Sequence, residues 1–164
     1  MYRREFLSIA GGMGLALGLP QVIQAADAPT LLTVSDAATN TTKSYSDADL
    51  MALPQTSFKT TTIWTEGAKT FSGPSLKSVL DDAGLPAQNL KLHAVNDYNV
   101  VFPISNMHDH APIIANRIDG NPFPLRRKGP LWVIFPFDQT PAFQTEEIFS
   151  LCVWQLDKIT MGEA

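Results

Sequence analysis

The side chains with chemistry to offer are few and scattered. His108-Asp109-His110 sets two imidazoles two residues apart, so on an extended segment both face one way and suit zinc or copper. A metal site normally takes three or four ligands, and the remaining imidazole, His93, is distant in sequence. The sole thiol, Cys152, lies in the apolar run Ile148-Phe149-Ser150-Leu151-Cys152-Val153, which suits a small buried hydrophobe better than a nucleophile. The chain contains no Gly-x-Ser-x-Gly elbow and no phosphate-cradling glycine loop, so neither a hydrolase triad nor a P-loop is indicated. What remains are hydrogen-bonding, cationic and aromatic groups: Asn96-Asp97-Tyr98, Arg126-Arg127-Lys128-Gly129, and the indoles of Trp64, Trp132 and Trp154.

Those groups sit in a chain of ordinary globular composition. It has 164 residues, 45% of them hydrophobic and 17% charged, enough for one core. The net charge of −4, without a lysine or arginine stripe, argues against nucleic acid as a partner, because phosphate affinity needs clustered cations. One cysteine cannot form an intrachain disulfide, so an oxidising compartment is permitted but not exploited. The first residues carry Arg3-Arg4, then x-Phe6-Leu7 and an apolar, small-residue stretch to Leu19 and Pro20. This pattern reads as a twin-arginine-type signal peptide over residues 1–25, cut after Ala25, with one domain over 26–164 delivered to the periplasm. The stretch is too short to span a bilayer, so no membrane span is expected after cleavage.

The elements predicted to position the polar groups are short. Leu31 to Val34 reads as a strand. Ser46 caps a brief helix that Pro54 stops. Thr56 to Trp64 reads as a strand, and Phe71 to Leu76 leads into a helix whose Leu76, Val79, Leu80 and Ala83 recur at helical spacing before Gly84. Leu90 to Val95 and Val100 to Phe102 form a strand pair around Asn96-Asp97-Tyr98-Asn99. Residues 105–112 read as a polar loop or single turn, and Ile113 to Ile118 as a strand ending in the turn Asp119-Gly120-Asn121. Leu131 to Phe135 is a buried strand, 137–145 a loop, and Ile148 to Thr160 the last one or two strands. The class is α+β with strands dominant.

In this order the motifs resemble a known family. Phe71-Ser72-Gly73-Pro74-Ser75-Leu76-Lys77-Ser78-Val79-Leu80 is similar to the aromatic-x-Gly-x-x-Leu-x-x-Leu-Leu segment of the sulfite-oxidase-type molybdopterin-binding fold. Asn96-Asp97-Tyr98, Asp119-Gly120, Gly129-Pro130-Leu131-Trp132-Val133-Ile134-Phe135-Pro136 and Trp154-Gln155-Leu156-Asp157-Lys158-Ile159 resemble its later stations. Two departures stand out. The slot for the family's molybdenum-ligating cysteine falls near Thr60-Thr61-Thr62, and a threonine hydroxyl cannot replace a thiolate on oxo-molybdenum. The loop after the Gly-Pro strand, residues 138–147, is acidic where the family presents cations to the cofactor phosphate. The resemblance therefore implies a non-catalytic periplasmic subgroup: a protein that binds a reduced pterin of the tetrahydro- or dihydropterin type, with neither metal nor phosphate. In that subgroup the protein regulates a membrane signalling partner, a cyclic diguanylate enzyme or a sensor kinase, through its periplasmic domain. A molybdenum-cofactor oxidoreductase is the alternative.

A pterin needs an aromatic surface against its face, a carboxylate for its N3–H and 2-amino group, and donors toward its O4 side. On the resemblance, Asp97 is the amino-edge acceptor with Asn96 supporting. Tyr98, Trp64 and Trp132 are stacking candidates. Arg126, Arg127 and Lys128 are donors, and Gly129 allows close backbone approach. Each has a plainer reading: Asn96-Asp97 as turn residues, the indoles as core, the cations as a solvated run. The 103–112 loop is a candidate roof over the cleft.

Overall fold

A computed structural model describes residues 28–86 and 89–161. The leader read over residues 1–25 lies outside them.

The chain is α+β and strand-rich. Strand β1 (Leu32–Asp36) alternates buried and half-buried residues, the mark of a strand covered on one face. It pairs antiparallel with β2 (Thr41–Tyr45) and parallel with β10 (Leu156–Met161). On its far side β10 pairs antiparallel with β5 (Leu90–Ala94), which pairs with β6 (Asn99–Phe102), giving the order β2-β1-β10-β5-β6. A second antiparallel sheet holds β3 (Gln55–Thr60), β4 (Lys69–Pro74) and β8 (Arg117–Ile118), and a third pairs β7 (Ile113–Ala115) with β9 (Trp132–Ile134). Leu32, Leu92 and Ile159 of the first sheet, Phe71 of the second and Ile113 and Trp132 of the third belong to one continuous buried cluster.

Local chemistry explains the helices. Helix α1 (Asp47–Ala52) begins with a capping box: the Asp49 N–H donates to the Ser46 hydroxyl, and the Ser46 N–H to the Asp49 carboxylate. Helix α2 (Leu76–Ala83) buries Leu76, Val79, Leu80 and Ala83 as its spacing predicts. Ser75 caps its start, and Gly84 ends it at φ 69°.

Four expectations need correction. The run from Ile148 opens as helix, not strand: α3 (Glu146–Leu151) is capped by Thr145, and Glu146 and Glu147 sit at its positive end. The segment Phe71–Pro74 belongs to strand β4 rather than to a lead-in turn. The predicted strand over Thr56–Trp64 stops at Thr60. The one over Ile113–Ile118 divides at Asn116, with β7 joining β9 and β8 joining β4.

That division is held by charge. Arg117 donates to both carboxylate oxygens of Asp47, at 2.8 and 2.7 Å, and the Asn116 side-chain amide donates to the same group at 3.2 Å. The guanidinium holds the Asp47 carboxyl below the usual carboxylate range. A depressed carboxyl stabilises the fold above its unfolded-state value, and that contribution is lost as pH falls through the folded value. Asp47→Asn is therefore expected to cost about 1 kcal/mol at neutral pH, the pair being partly exposed. Urea titrations at stepped pH should show the gap to the unmodified protein closing in acid.

Candidate functional site

The loop from β3 to β4 carries Trp64, and side-chain oxygens shape it. Thr60 is fully buried and its hydroxyl accepts the Asp138 N–H at 3.1 Å. Thr61 donates its N–H and its hydroxyl to the Asp138 carboxylate, both at 2.7 Å, which lowers that carboxyl's pKa. The Thr62 hydroxyl accepts from the N–H groups of Trp64 (3.1 Å) and Thr65 (2.9 Å), a local turn that points the chain back at Trp64. The three hydroxyls at the slot expected to lack a metal thiolate are thus committed to holding this loop.

Trp64 is half-buried and lies at the centre of an aromatic cluster. Its ring centroid is 5.8 Å from those of Trp132, Phe149 and Trp154, all met edge-on. Trp132 is buried and meets Phe71 edge-on at 5.5 Å. Its indole Nε1 is buried and has no hydrogen-bond partner among the described residues.

Two clefts share Trp64 as a wall. The smaller, of about 200 Å³, is mainly apolar and is lined by Asn96, Tyr98, Phe149, Cys152 and Trp154 among others. The Tyr98 hydroxyl closes one side by donating to the Ser150 carbonyl at 3.0 Å. The larger, of about 580 Å³, is lined by Trp64, Trp132, Lys69, Asp119, Asn121, Arg126, Arg127 and Lys128, with prolines and Phe123. The fold thus brings Trp64, Trp132, Arg126 and Arg127 to one cleft, and Trp64, Asn96 and Tyr98 to the other.

Asp97 and Gly129 line neither cleft. Asp97 takes the left-handed position (φ 65°) of the β5–β6 turn, where its N–H donates to the Ala94 carbonyl; short polar side chains tolerate that conformation. Gly129 is needed for internal packing, since the Phe123 carbonyl occupies the space a Cβ would fill. The carboxylate in the larger cleft is instead Asp119. It accepts the Thr70 N–H at 3.0 Å and meets Lys69 at 3.3 Å, and the Thr70 bond, followed by Lys69, depresses its pKa. The Asp119-Gly120 motif marked this position in the sequence as a turn and as one station of the resemblance, not as a ligand group.

Other expectations are revised by the same geometry. The acidic 138–147 loop lines neither cleft: Asp138 and Gln144 border one separate hollow, Gln139 and Phe143 another. The 103–112 loop roofs neither cleft; His108 and His110 line a hollow with Phe143, and His108 packs 5.6 Å from that ring. His93 hydrogen-bonds Thr160 across β5 and β10. Among the described residues no three His, Cys, Asp or Glu side chains are grouped as metal ligands would be. Cys152 reaches the floor of the apolar cleft, donates to the Ile148 carbonyl at 3.3 Å, and burial pushes its thiol pKa far up.

Chemically, the larger cleft offers the half-buried Trp64 indole backed by the buried Trp132, one ionised acceptor and several cationic donors, a set for binding a flat polar ring. No helix among the described residues is long and apolar enough to cross a membrane.

Two outcomes test this geometry. Gly129→Ala should cost about 3 kcal/mol by overpacking against backbone, read as a lowered urea midpoint. Cys152 should resist a thiol-specific disulfide reagent in the native protein and react once denaturant unfolds it. No protein-family model matches this chain, and no curated protein matches it as a relative.

Proposed function

We propose that this is a periplasmic pterin-binding protein with a sulfite-oxidase-type fold, one that senses a reduced pterin and reports it to a membrane signalling partner. The observation that carries the ligand reading is the convergence of Trp64, Trp132 and Asp119 on one cleft of about 580 Å³. Fused heterocycles with an amino-oxo edge need this combination: indole surface for the ring, and an ionised carboxylate to accept from N3–H and the 2-amino group together. Asn121 and Lys128 add donors for the oxo edge. Export, the fold family and the signalling partner rest on the leader and on the ordered motifs.

The residues do not suit molybdenum. The Thr60, Thr61 and Thr62 hydroxyls are engaged with the loop and with Asp138, and the sole thiol is held protonated in an apolar setting. These features favour ligand binding over oxo-molybdenum catalysis.

Titration of the purified protein with 7,8-dihydroneopterin, followed by tryptophan quenching, should give saturable one-to-one binding. Trp64→Ala is expected to weaken it about tenfold, and Asp119→Asn about ten- to a hundredfold. Asp97→Ala should leave it within about twofold. Absence of binding, or stoichiometric molybdenum in material purified from the native host, would overturn the proposal.

A further inference from the structure

We propose that the smaller, apolar cleft binds a quaternary ammonium group, held in an aromatic box of Trp64, Tyr98, Phe149 and Trp154. The box is a second site, and its ligand is independent of the pterin reading of the larger cleft.

The first support is ring geometry. Four separate segments supply the walls: the β3–β4 loop, the β5–β6 turn, α3 and the segment just before β10. Phe149 and Trp154 stand nearly square to Trp64, at 86° and 77°, each with its ring centroid 5.8 Å away. Tyr98 reaches solvent, yet its hydroxyl is pinned to the Ser150 carbonyl, which holds the ring in place. Rings set at right angles present π-faces in more than one direction, and the negative charge of each face attracts a cation. Lys128 uses this attraction on Trp154, but it lines the larger cleft and not this one.

The second support is the shortage of hydrogen-bonding groups. The Ser150 hydroxyl donates to the Glu147 carbonyl at 2.6 Å, and the Cys152 thiol to the Ile148 carbonyl at 3.3 Å. The Asn96 side-chain oxygen accepts the Tyr98 N–H at 3.3 Å, and the Ser150 carbonyl accepts the Tyr98 hydroxyl at 3.0 Å. Among the described residues no Asp, Glu, Lys or Arg lines the cleft. A primary ammonium brings three N–H donors that this lining does not satisfy. A fully alkylated nitrogen brings none, and the ring faces answer its charge. A neutral hydrocarbon would be served as well by aliphatic walls, yet Val153 is the single aliphatic side chain among the described lining residues. The net charge of −4 also favours a cation over an anion.

The third support is size. A cavity of about 150 Å³ holds a benzene ring, and a trimethylammonium head is about as large. The cleft of about 200 Å³ takes one such head.

Three probes separate charge, alkylation and bulk: choline, its uncharged isostere 3,3-dimethylbutan-1-ol, and ethanolamine with its primary ammonium. In calorimetric titrations choline should bind about tenfold tighter than either of the others. Tyr98→Leu and Phe149→Leu each keep apolar bulk and lose a ring. Each should weaken choline about three- to fivefold and leave the isostere within about twofold, a split that general loosening of the fold would not produce. Neither side chain lines the larger cleft, so failure here leaves the pterin reading untouched. Equal affinity for choline and its isostere overturns recognition of charge, and equal affinity for choline and ethanolamine overturns recognition of alkylation. A choline preference that survives both substitutions overturns the aromatic box. Absence of saturable choline binding overturns the site itself.

Discussion

Three sheets come together around the Trp132 indole, and the rest of the molecule is arranged to keep it there. Trp132 belongs to β9, packs edge-on against Phe71 of β4, and bridges through its backbone to Trp154, just before β10. Edge-to-face contacts of this kind favour one orientation as well as burying area. With Trp132 and Trp154 held, Trp64 has one place to settle, and its exposed side becomes the wall between two clefts. The position of the candidate site follows from packing in the core.

The two sides of that wall differ because different loops supply them. On the apolar side stand α3 and the β5–β6 turn, with Phe149 and Tyr98. On the polar side stand the turn after β8 and the Leu125–Lys128 turn, which bring one carboxylate and three cations. The two are tied at one point: the Lys128 ammonium sits 4.4 Å from the centre of the Trp154 ring, a cation–π contact that links the cationic turn to the aromatic cluster.

Much of the scaffold was legible in the residues. Helix α2 declared itself by its spacing and its terminal glycine, and the β5–β6 pair by its turn. Helix α3 was hidden because a short apolar run suits helix and buried strand equally until its cap is recognised. Strand β2, with its Thr-Thr-Lys-Ser-Tyr run, was passed over because an edge strand needs few apolar residues. Of the groups singled out in sequence, Trp64, Trp132, Arg126 and Arg127 line one cleft, whereas Asp97 lies outside it and Asp119 is the carboxylate there. Asp97 and Asp119 are both turn acids beside strands. What separates them is which loop folds opposite, and that is decided by pairings dozens of residues apart: β8 on β4, and the Leu125–Lys128 turn against Gln155.

The central position of β10 bears on how the chain matures. It is the last strand to be synthesised among those described, yet it lies between β1 and β5, parallel to one and antiparallel to the other. Until it inserts, the early β1–β2 and β5–β6 ribbons have no common partner and each keeps a bare inner edge. Closing so long a loop is entropically slow and leaves open edges prone to self-association in the meantime. A ribosome-bound fragment ending before residue 156 therefore lacks the keystone of its largest sheet, and a chaperone guarding the nascent protein would have those two open ribbons to shield.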